Sequence, residues 1–129
     1  MLVVAPHPDD ESLATGTLIV RAVAAGASVA VAFVTSGENN PWAQRATERR
    51  LLIRARDRER FGALREAEAA EALRRRGVPA ASARFLRFPD QGLTGALLRA
   101  PQPIMAALRA VLDEVRPTLV AFPSTSDLH

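Results

Sequence analysis

Residues 2–11 read LVVAPHPDDE, an apolar run followed at once by one histidine and three carboxylates. The run Leu2–Ala5 is short and continuous, which is typical of a strand buried on both faces of a parallel sheet. In open α/β sheets the ligand site lies at the carboxyl ends of the strands. The stretch therefore predicts a buried first strand with polar chemistry at its end, over residues 7–11.

Outward from this stretch, strand-like and helical patterns alternate along the chain. The predicted strands cover 2–5, 28–34, 84–88 and 119–122, and the predicted helices cover 11–25, about 44–76, and 103–115. Strands that alternate with helices indicate right-handed β-α-β crossovers and a parallel sheet. We predict an α/β fold, a three-layer α/β/α sandwich with a Rossmann-like, mostly parallel sheet. The first turn lacks Gly-x-Gly-x-x-Gly, which argues against a dinucleotide site.

Length and composition narrow the class of protein. The 129 residues predict one domain, 1–129. No apolar run reaches the length of a membrane span, and the start lacks the pattern of a signal peptide, so we expect a cytoplasmic enzyme. Without cysteine, any metal must be held by His, Asp or Glu. The net charge of +3 is the difference between 17 arginines and 14 acidic residues, since the chain contains no lysine. Nucleic-acid binding ranks low because aromatic residues are only 5%.

Two interpretations fit the loop after the first strand. His7 and Asp10 are three residues apart and could reach one metal from a strand-to-helix corner, which leaves Asp9 free to take a proton from activated water. Acids at a helix start are, however, often only caps, and a single histidine is often structural. Polar residues also follow the other three predicted strands, at 35–40, 90 and 124–129, so we expect all four strand ends to converge on one crevice. His129 follows the fourth predicted strand at this sheet edge. It is either an active-site residue or part of a frayed terminus.

Several motifs resemble those of the PIG-L/LmbE-like family of zinc-dependent N-acetylglucosamine deacetylases. They occur in the family's order: APHPDDE at 5–11, TSGE at 35–38, REAE at 65–68, FPD at 88–90 and DLH at 127–129. The resemblance implies a hydrolase that removes the N-acetyl group from a substrate containing N-acetylglucosamine. It implies zinc as the cofactor, and ferrous iron suits the same ligands.

The resemblance also assigns roles to individual residues. It makes His7 and Asp10 metal ligands, Asp9 the general base, and His129 a catalytic group that stabilises the oxyanion or acts as an acid. Arg65 and Asp90 match positions that contact the sugar, and Glu11 matches a group that orients the site. Arg65 could equally be a surface arginine of a helix, and Asp90 a turn residue.

The end of the sequence departs from the family pattern. Members usually carry His-Pro-Asp-His after the fourth strand, and His129 matches the first of those histidines. The third metal ligand would then lie three residues further on, so we expect the chain to be incomplete at its C-terminus. An alternative function follows from this expectation: an inactive, truncated relic that binds a sugar or a nucleotide. No membrane span and no nucleic-acid partner are expected, and the oligomeric state stays open.

Overall fold

Four parallel strands form the centre of the computed structural model, which describes residues 1–49 and 51–124. They lie in the order β3-β2-β1-β4. Their bounds are Leu2–Ala5 for β1, Ala30–Thr35 for β2, Ala83–Phe88 for β3 and Val120–Ala121 for β4. β1 pairs with both β2 and β4, so it is an inner strand, which agrees with its continuous apolar sequence.

Five helices connect or extend the strands within the described residues. They are α1 (Asp10–Ala24), α2 (Pro41–Glu48), α3 (Ala55–Arg75), α4 (Leu93–Arg99) and α5 (Gln102–Val115). A single 3-10 turn, Ala80–Ser82, precedes β3. None of the helices in the part of the chain that the structure describes has the length and apolar character needed to cross a membrane.

The side chains of the sheet point alternately into two cores. On one face Val3 and Ala5 pack with Ile19 of α1 and Leu73 of α3. On the other face Leu2, Ala30 and Ala32 pack with Val111 of α5. Because neighbouring residues of a strand face opposite sides, continuous apolar strands are needed to bury both faces. Helices therefore cover both faces of the sheet, and the predicted three-layer sandwich is confirmed.

The single helix predicted over residues 44–76 is wrong in its first third, because α2 ends at Glu48 and α3 begins only at Ala55. Arg49 adopts a left-handed conformation with φ 52° and ends α2. The second helix then begins at Ala55, where the backbone N–H of Arg54 donates to Oδ2 of Asp57 at 2.9 Å. The first helix begins at Pro41 because the side chain of Asn40 accepts from the N–H of Ala43. Helix α4 was not predicted.

The strand order fixes where a site is expected. From β1 the chain moves to β2 and then β3 on one side, and it returns to place β4 on the other side of β1. The order therefore reverses at β1, and open α/β sheets hold their ligands beside such a reversal. The loop after β1, which contains residues 6–9, lies at this point.

Candidate active site

Loops that follow three different strands meet at the carboxyl edge of the sheet. Nε2 of His7, after β1, lies 3.2 Å from Oδ1 of Asp90, after β3. The other oxygen of Asp90 accepts from the backbone N–H of Asn39, after β2, at 3.1 Å. The backbone N–H of Asp90 in turn donates to Oε1 of Glu38 at 2.9 Å. The predicted convergence of the strand ends is therefore confirmed for these loops.

His7 is held between two carboxylates. Its Nδ1 lies 3.2 Å from Oδ2 of Asp10, which also accepts the backbone N–H of His7 at 2.9 Å. The hydrogen bond to Asp10 raises the pKa of His7 above its ordinary value, and the negative charge of Asp90 acts in the same direction against partial burial. The imidazole is thus fixed in orientation from both of its nitrogens.

Asp9 does not serve as a conventional helix cap. It occupies the position before α1, yet its side chain makes no capping hydrogen bond within the described residues. Its carboxylate is 57% exposed and lies 2.9 Å from Nη2 of Arg65. Its backbone has φ 131°, a conformation that costs a non-glycine residue free energy. The loop therefore presents the Asp9 carboxylate toward solvent at the sheet edge instead of folding it onto the helix.

Arg65 is not a surface arginine, although it lies in a helix rich in exposed charge. Its side chain is only 14% exposed. It donates to the carbonyl oxygen of Pro8 at 2.6 Å and to that of Gly37 at 3.0 Å. Gly37 has φ 61°, and a Cβ atom at this position would overlap the guanidinium. Arg65 therefore joins the loops after β1 and β2, while its contact with a sugar stays a prediction.

The buried side chain of Glu11 holds the loop after β1 by hydrogen bonds. It is buried, at 1% exposure. Its Oε2 accepts the backbone N–H of Asp9 at 3.0 Å, and its Oε1 accepts the hydroxyl of Ser12. These bonds fix the backbone of Asp9 in its unusual conformation. The role expected for Glu11, orienting the site, stays a prediction.

The sequence predicted that the polar loop after β2 lies at this edge, but it assigned no individual role to Glu38 or Asn39. Their contacts are what the structure adds. Glu38 supports Asp90 through Oε1, and its Oε2 is buried with no hydrogen-bond partner among the described residues. Asn39 also exchanges two hydrogen bonds with Gln91, at 3.1 and 2.9 Å. A polar residue directly after a central strand was the available signal.

The side chains of His7 and Asp10 offer the kinds of donor atom that a divalent metal ion binds. Imidazole nitrogen and carboxylate oxygen are ligands that zinc takes, and the facing atoms of His7 and Asp10 already lie 3.2 Å apart. Within residues 1–49 and 51–124 no group of three His, Asp or Glu side chains could hold a metal ion. The predicted catalytic residue His129 lies outside the described residues.

Comparison with known proteins identifies the family. The family model described as "PIG-L: GlcNAc-PI de-N-acetylase" matches residues 2–129. The chain belongs to this family, which confirms the resemblance found in the motifs. It is 36% identical, over 137 aligned positions, to the 1D-myo-inositol 2-acetamido-2-deoxy-alpha-D-glucopyranoside deacetylase of Mycolicibacterium vanbaalenii. That alignment covers 93% of this chain and 45% of the relative, so the chain spans about half the length of the curated relatives it matches.

Solved structures share the fold. A triple mutant of a deacetylase from the teicoplanin biosynthetic pathway is 28% identical, with a TM-score of 0.72 over 99% of this chain and 52% of its own. The 4-carboxy-2-hydroxymuconate hydratase GalB from Pseudomonas putida has a TM-score of 0.79 at 23% identity, over 99% of this chain and 48% of its own. The second likeness concerns the fold alone. Because one fold carries more than one chemistry, the reaction must be argued from the site.

Proposed function

We propose that this chain belongs to a metal-dependent N-deacetylase that hydrolyses the N-acetyl group of a substrate containing N-acetylglucosamine. The observation that carries the proposal is the loop after β1. It fixes His7 between Asp10 and Asp90 and turns the neighbouring carboxylate of Asp9 outward beside Arg65. The loop thus offers two metal donors, a nitrogen and an oxygen, beside an accessible base, and metal-assisted hydrolysis uses groups of these kinds.

His7 and Asp10 would hold the metal ion in this proposal. Zinc and ferrous iron both accept such ligands, and zinc comes first because the motifs of this chain resemble those of zinc-dependent deacetylases. When bound, the ion supplies Lewis acidity at an amide carbonyl and makes water acidic near neutral pH. Asp90 would then act through His7, since a carboxylate on the second imidazole nitrogen fixes the orientation of the ring and its basicity.

Asp9 would accept a proton from the attacking water. Its carboxylate is accessible, and Arg65 holds one of its oxygens, so the other oxygen is available to the proton. Addition of water to the amide carbon and cleavage of the carbon–nitrogen bond give acetate and a free amino sugar. His129 would protonate the departing amine or stabilise the oxyanion, and Arg65 and Asp90 would contact the sugar hydroxyls.

The name of the curated relative supports the substrate class. By its name, that protein deacetylates a 2-acetamido-2-deoxyglucoside of inositol, in which an acetamido sugar is linked to a second ring. The proposal therefore covers conjugates in which N-acetylglucosamine carries a further group at its anomeric carbon. Small conjugates and polysaccharide precursors both belong to this class.

Release of acetate and of a primary amine from such a conjugate tests the proposal directly. The protein in its full natural length is incubated with zinc or ferrous iron and with the acetamido-glucosyl inositol, and both products are measured. Asp9→Asn should abolish turnover while the bound metal, measured after dialysis, stays at the wild-type level. The matched control is Asp113→Asn, which removes an exposed carboxylate on α5. Full activity of Asp9→Asn would show that the assignment of the base is wrong.

Metal content separates the proposal from its alternative. A deacetylase site should retain about one ion per chain after dialysis, and His7→Ala should lose it. A chain that binds the sugar conjugate without metal and without releasing acetate would instead be the binding module considered above.

A further inference from the structure

The positive charge of the chain is concentrated in one short stretch. Residues 41–60, from α2 to the start of α3, contain seven arginines and three acidic residues, a net charge of +4. The other 109 residues contain ten arginines and eleven acidic residues, a net charge of −1. The excess charge of the protein is therefore local, and a general excess of arginine does not explain it.

Two of the three acids of this stretch are turned inward, and only Glu59 is exposed. Glu48 and Asp57 both pair with Arg60, at 2.7 and 3.1 Å, and their side chains are only 13% and 10% exposed. Besides Arg60, five arginines of the described part of this stretch are exposed: Arg45, Arg49, Arg54, Arg56 and Arg58. With Glu59 as the one exposed acid among the described residues of the stretch, its surface is strongly positive.

Large apolar side chains are exposed among these arginines. Trp42 is 78% exposed, Leu51 86% and Leu52 80%. The guanidinium of Arg45 lies over the ring of Trp42, 5.5 Å from its centroid, and its Nε donates to the carbonyl oxygen of Leu51 at 3.3 Å. Arg45 therefore joins Trp42 to the backbone of Leu51, and the exposed Leu52 follows directly in the chain. We call this surface, formed by Trp42, Arg45, Arg49, Leu51, Leu52 and Arg54, the Trp42 surface.

We propose that the Trp42 surface binds the anionic surface of a lipid bilayer. Exposed tryptophan and leucine enter the boundary between head groups and acyl chains, and a surrounding cluster of arginines attracts anionic head groups. Arginine suits this position because its aliphatic stem lies along apolar surface while its charge reaches the head groups. Nucleic acid would satisfy the charge, but it offers no apolar layer for two adjacent exposed leucines.

The position of the surface relates it to the site. Asn39, whose N–H donates to Asp90, precedes Trp42 by only three residues, a chain length of at most about 11 Å. A bilayer bound at the Trp42 surface would therefore lie beside the candidate active site. The inference goes beyond the proposed deacetylase activity, because binding to lipid is measured without substrate or metal.

The chain carries its own probe for this interaction. Trp42 is the only tryptophan, and there is no tyrosine, so the intrinsic fluorescence reports this surface alone. The chain is mixed with vesicles of phosphatidylcholine, with and without 30 mol% phosphatidylglycerol (about one lipid in three), and followed by sedimentation and by emission. We expect sedimentation and a blue shift only with the anionic vesicles, weakened by added salt.

Paired variants test the two components of the surface. Arg49→Gln with Arg54→Gln should weaken binding roughly 30-fold, since each arginine near an anionic bilayer contributes about one factor of five. Leu51→Ser with Leu52→Ser should weaken binding at least about tenfold and reduce the blue shift. The matched control is Arg74→Gln with Arg75→Gln, two exposed arginines on the other end of α3, which should bind like wild type.

Three outcomes would overturn the proposal. The first is absence of binding to the anionic vesicles or equal binding to both vesicle types. The second is binding that neither surface variant changes more than the control does. The third is stronger binding to a 20-base-pair (about two turns) DNA duplex than to anionic vesicles, which would assign the charge to nucleic acid. All the substituted side chains are exposed, and urea unfolding confirms that each variant is folded.

Discussion

Nη2 of Arg65 lies 2.9 Å from Oδ2 of Asp9, which links the middle of α3 to the residue before α1. The same guanidinium donates to the carbonyl oxygens of Pro8 and Gly37, in the loops after two adjacent strands. One side chain thus fixes the proposed base and both loops of the sheet edge. Its effect on stability is separable from its effect on chemistry, because the carbonyl oxygens need a donor whether or not Asp9 reacts.

Arg65→Met should lower the free energy of unfolding by about 1–3 kcal/mol, because two largely buried carbonyl oxygens lose their donor. Arg65→Lys should be intermediate, since an ammonium cannot reproduce the fork of a guanidinium. Urea unfolding measures both variants. Arg75→Met, on the same helix but 75% exposed, is the control and should change stability by less than about 0.5 kcal/mol. Equal stability of Arg65→Met and wild type would contradict the bridging role.

Gly37→Ala should destabilise the chain more than Gly26→Ala does. Both glycines have positive φ, 61° and 76°, so both alanines carry a backbone cost of about 1–2 kcal/mol. At Gly26 an added Cβ meets nothing within 4 Å, whereas at Gly37 it would overlap the guanidinium of Arg65. The extra cost of Gly37→Ala should disappear in a background of Arg65→Met, which a double-mutant cycle by urea unfolding measures. Additive effects would show that the overlap is relieved elsewhere.

The parallel sheet and the two-sided burial of its strands were predictable, because the apolar runs are continuous and alternate with helical patterns. The break between α2 and α3 was not predictable from periodicity. A left-handed Arg49 ends the first helix, and no glycine marks the place. Helix starts are set by side-chain caps, and Asn40 before Pro41 was a signal that the charge-rich pattern obscured.

The residues of the site were more predictable than their contacts. Parallel strands bring His7 and Asp90 to one edge although they are 83 positions apart, and the sequence shows both strand ends. It does not show that Asp90 faces the imidazole, because that contact depends on the conformation of the loop after β3. The pairing of Arg65 with Asp9 could not be predicted from the sequence for a different reason. A helix that contains many arginines gives no sign of which one is buried.

Glu66 should stabilise the fold in a pH-dependent way. Its pKa is lowered, first by Arg87, whose Nη2 lies 2.9 Å from Oε2, and then by the hydroxyl of Ser36. A lowered pKa in the folded state means that the stabilisation is complete above the ordinary value of 4.5 and is lost as the pH falls through the lower value. The stability difference between wild type and Glu66→Gln should therefore be largest near neutral pH and shrink below pH 4.5.

Urea unfolding at neutral and acidic pH measures this difference. Asp113→Asn is the control, because its pair with Arg109 is exposed at both ends and 3.8 Å long. Exposed pairs of this kind contribute little, so the control should follow wild type at every pH. A stability difference for Glu66→Gln that does not vary with pH would contradict the assigned ion pair.

His7 should titrate above its ordinary pKa of 6.5, and both of its carboxylate partners should be needed for the shift. The hydrogen bond to Asp10 is the larger cause, so Asp10→Asn should lower the pKa more than Asp90→Asn does. Since the folded value is raised, the stabilisation from His7 is complete below pH 6.5 and is lost as the pH rises through the folded value.

NMR measures this titration. The variant His129→Gln leaves His7 as the one histidine of the chain, so its imidazole resonances are observed without overlap. Added zinc should lower the apparent value, because the ion binds only the neutral ring. If the titration of His7 is the same in Asp10→Asn, Asp90→Asn and the Asp113→Asn control, the two carboxylates do not hold the imidazole as described.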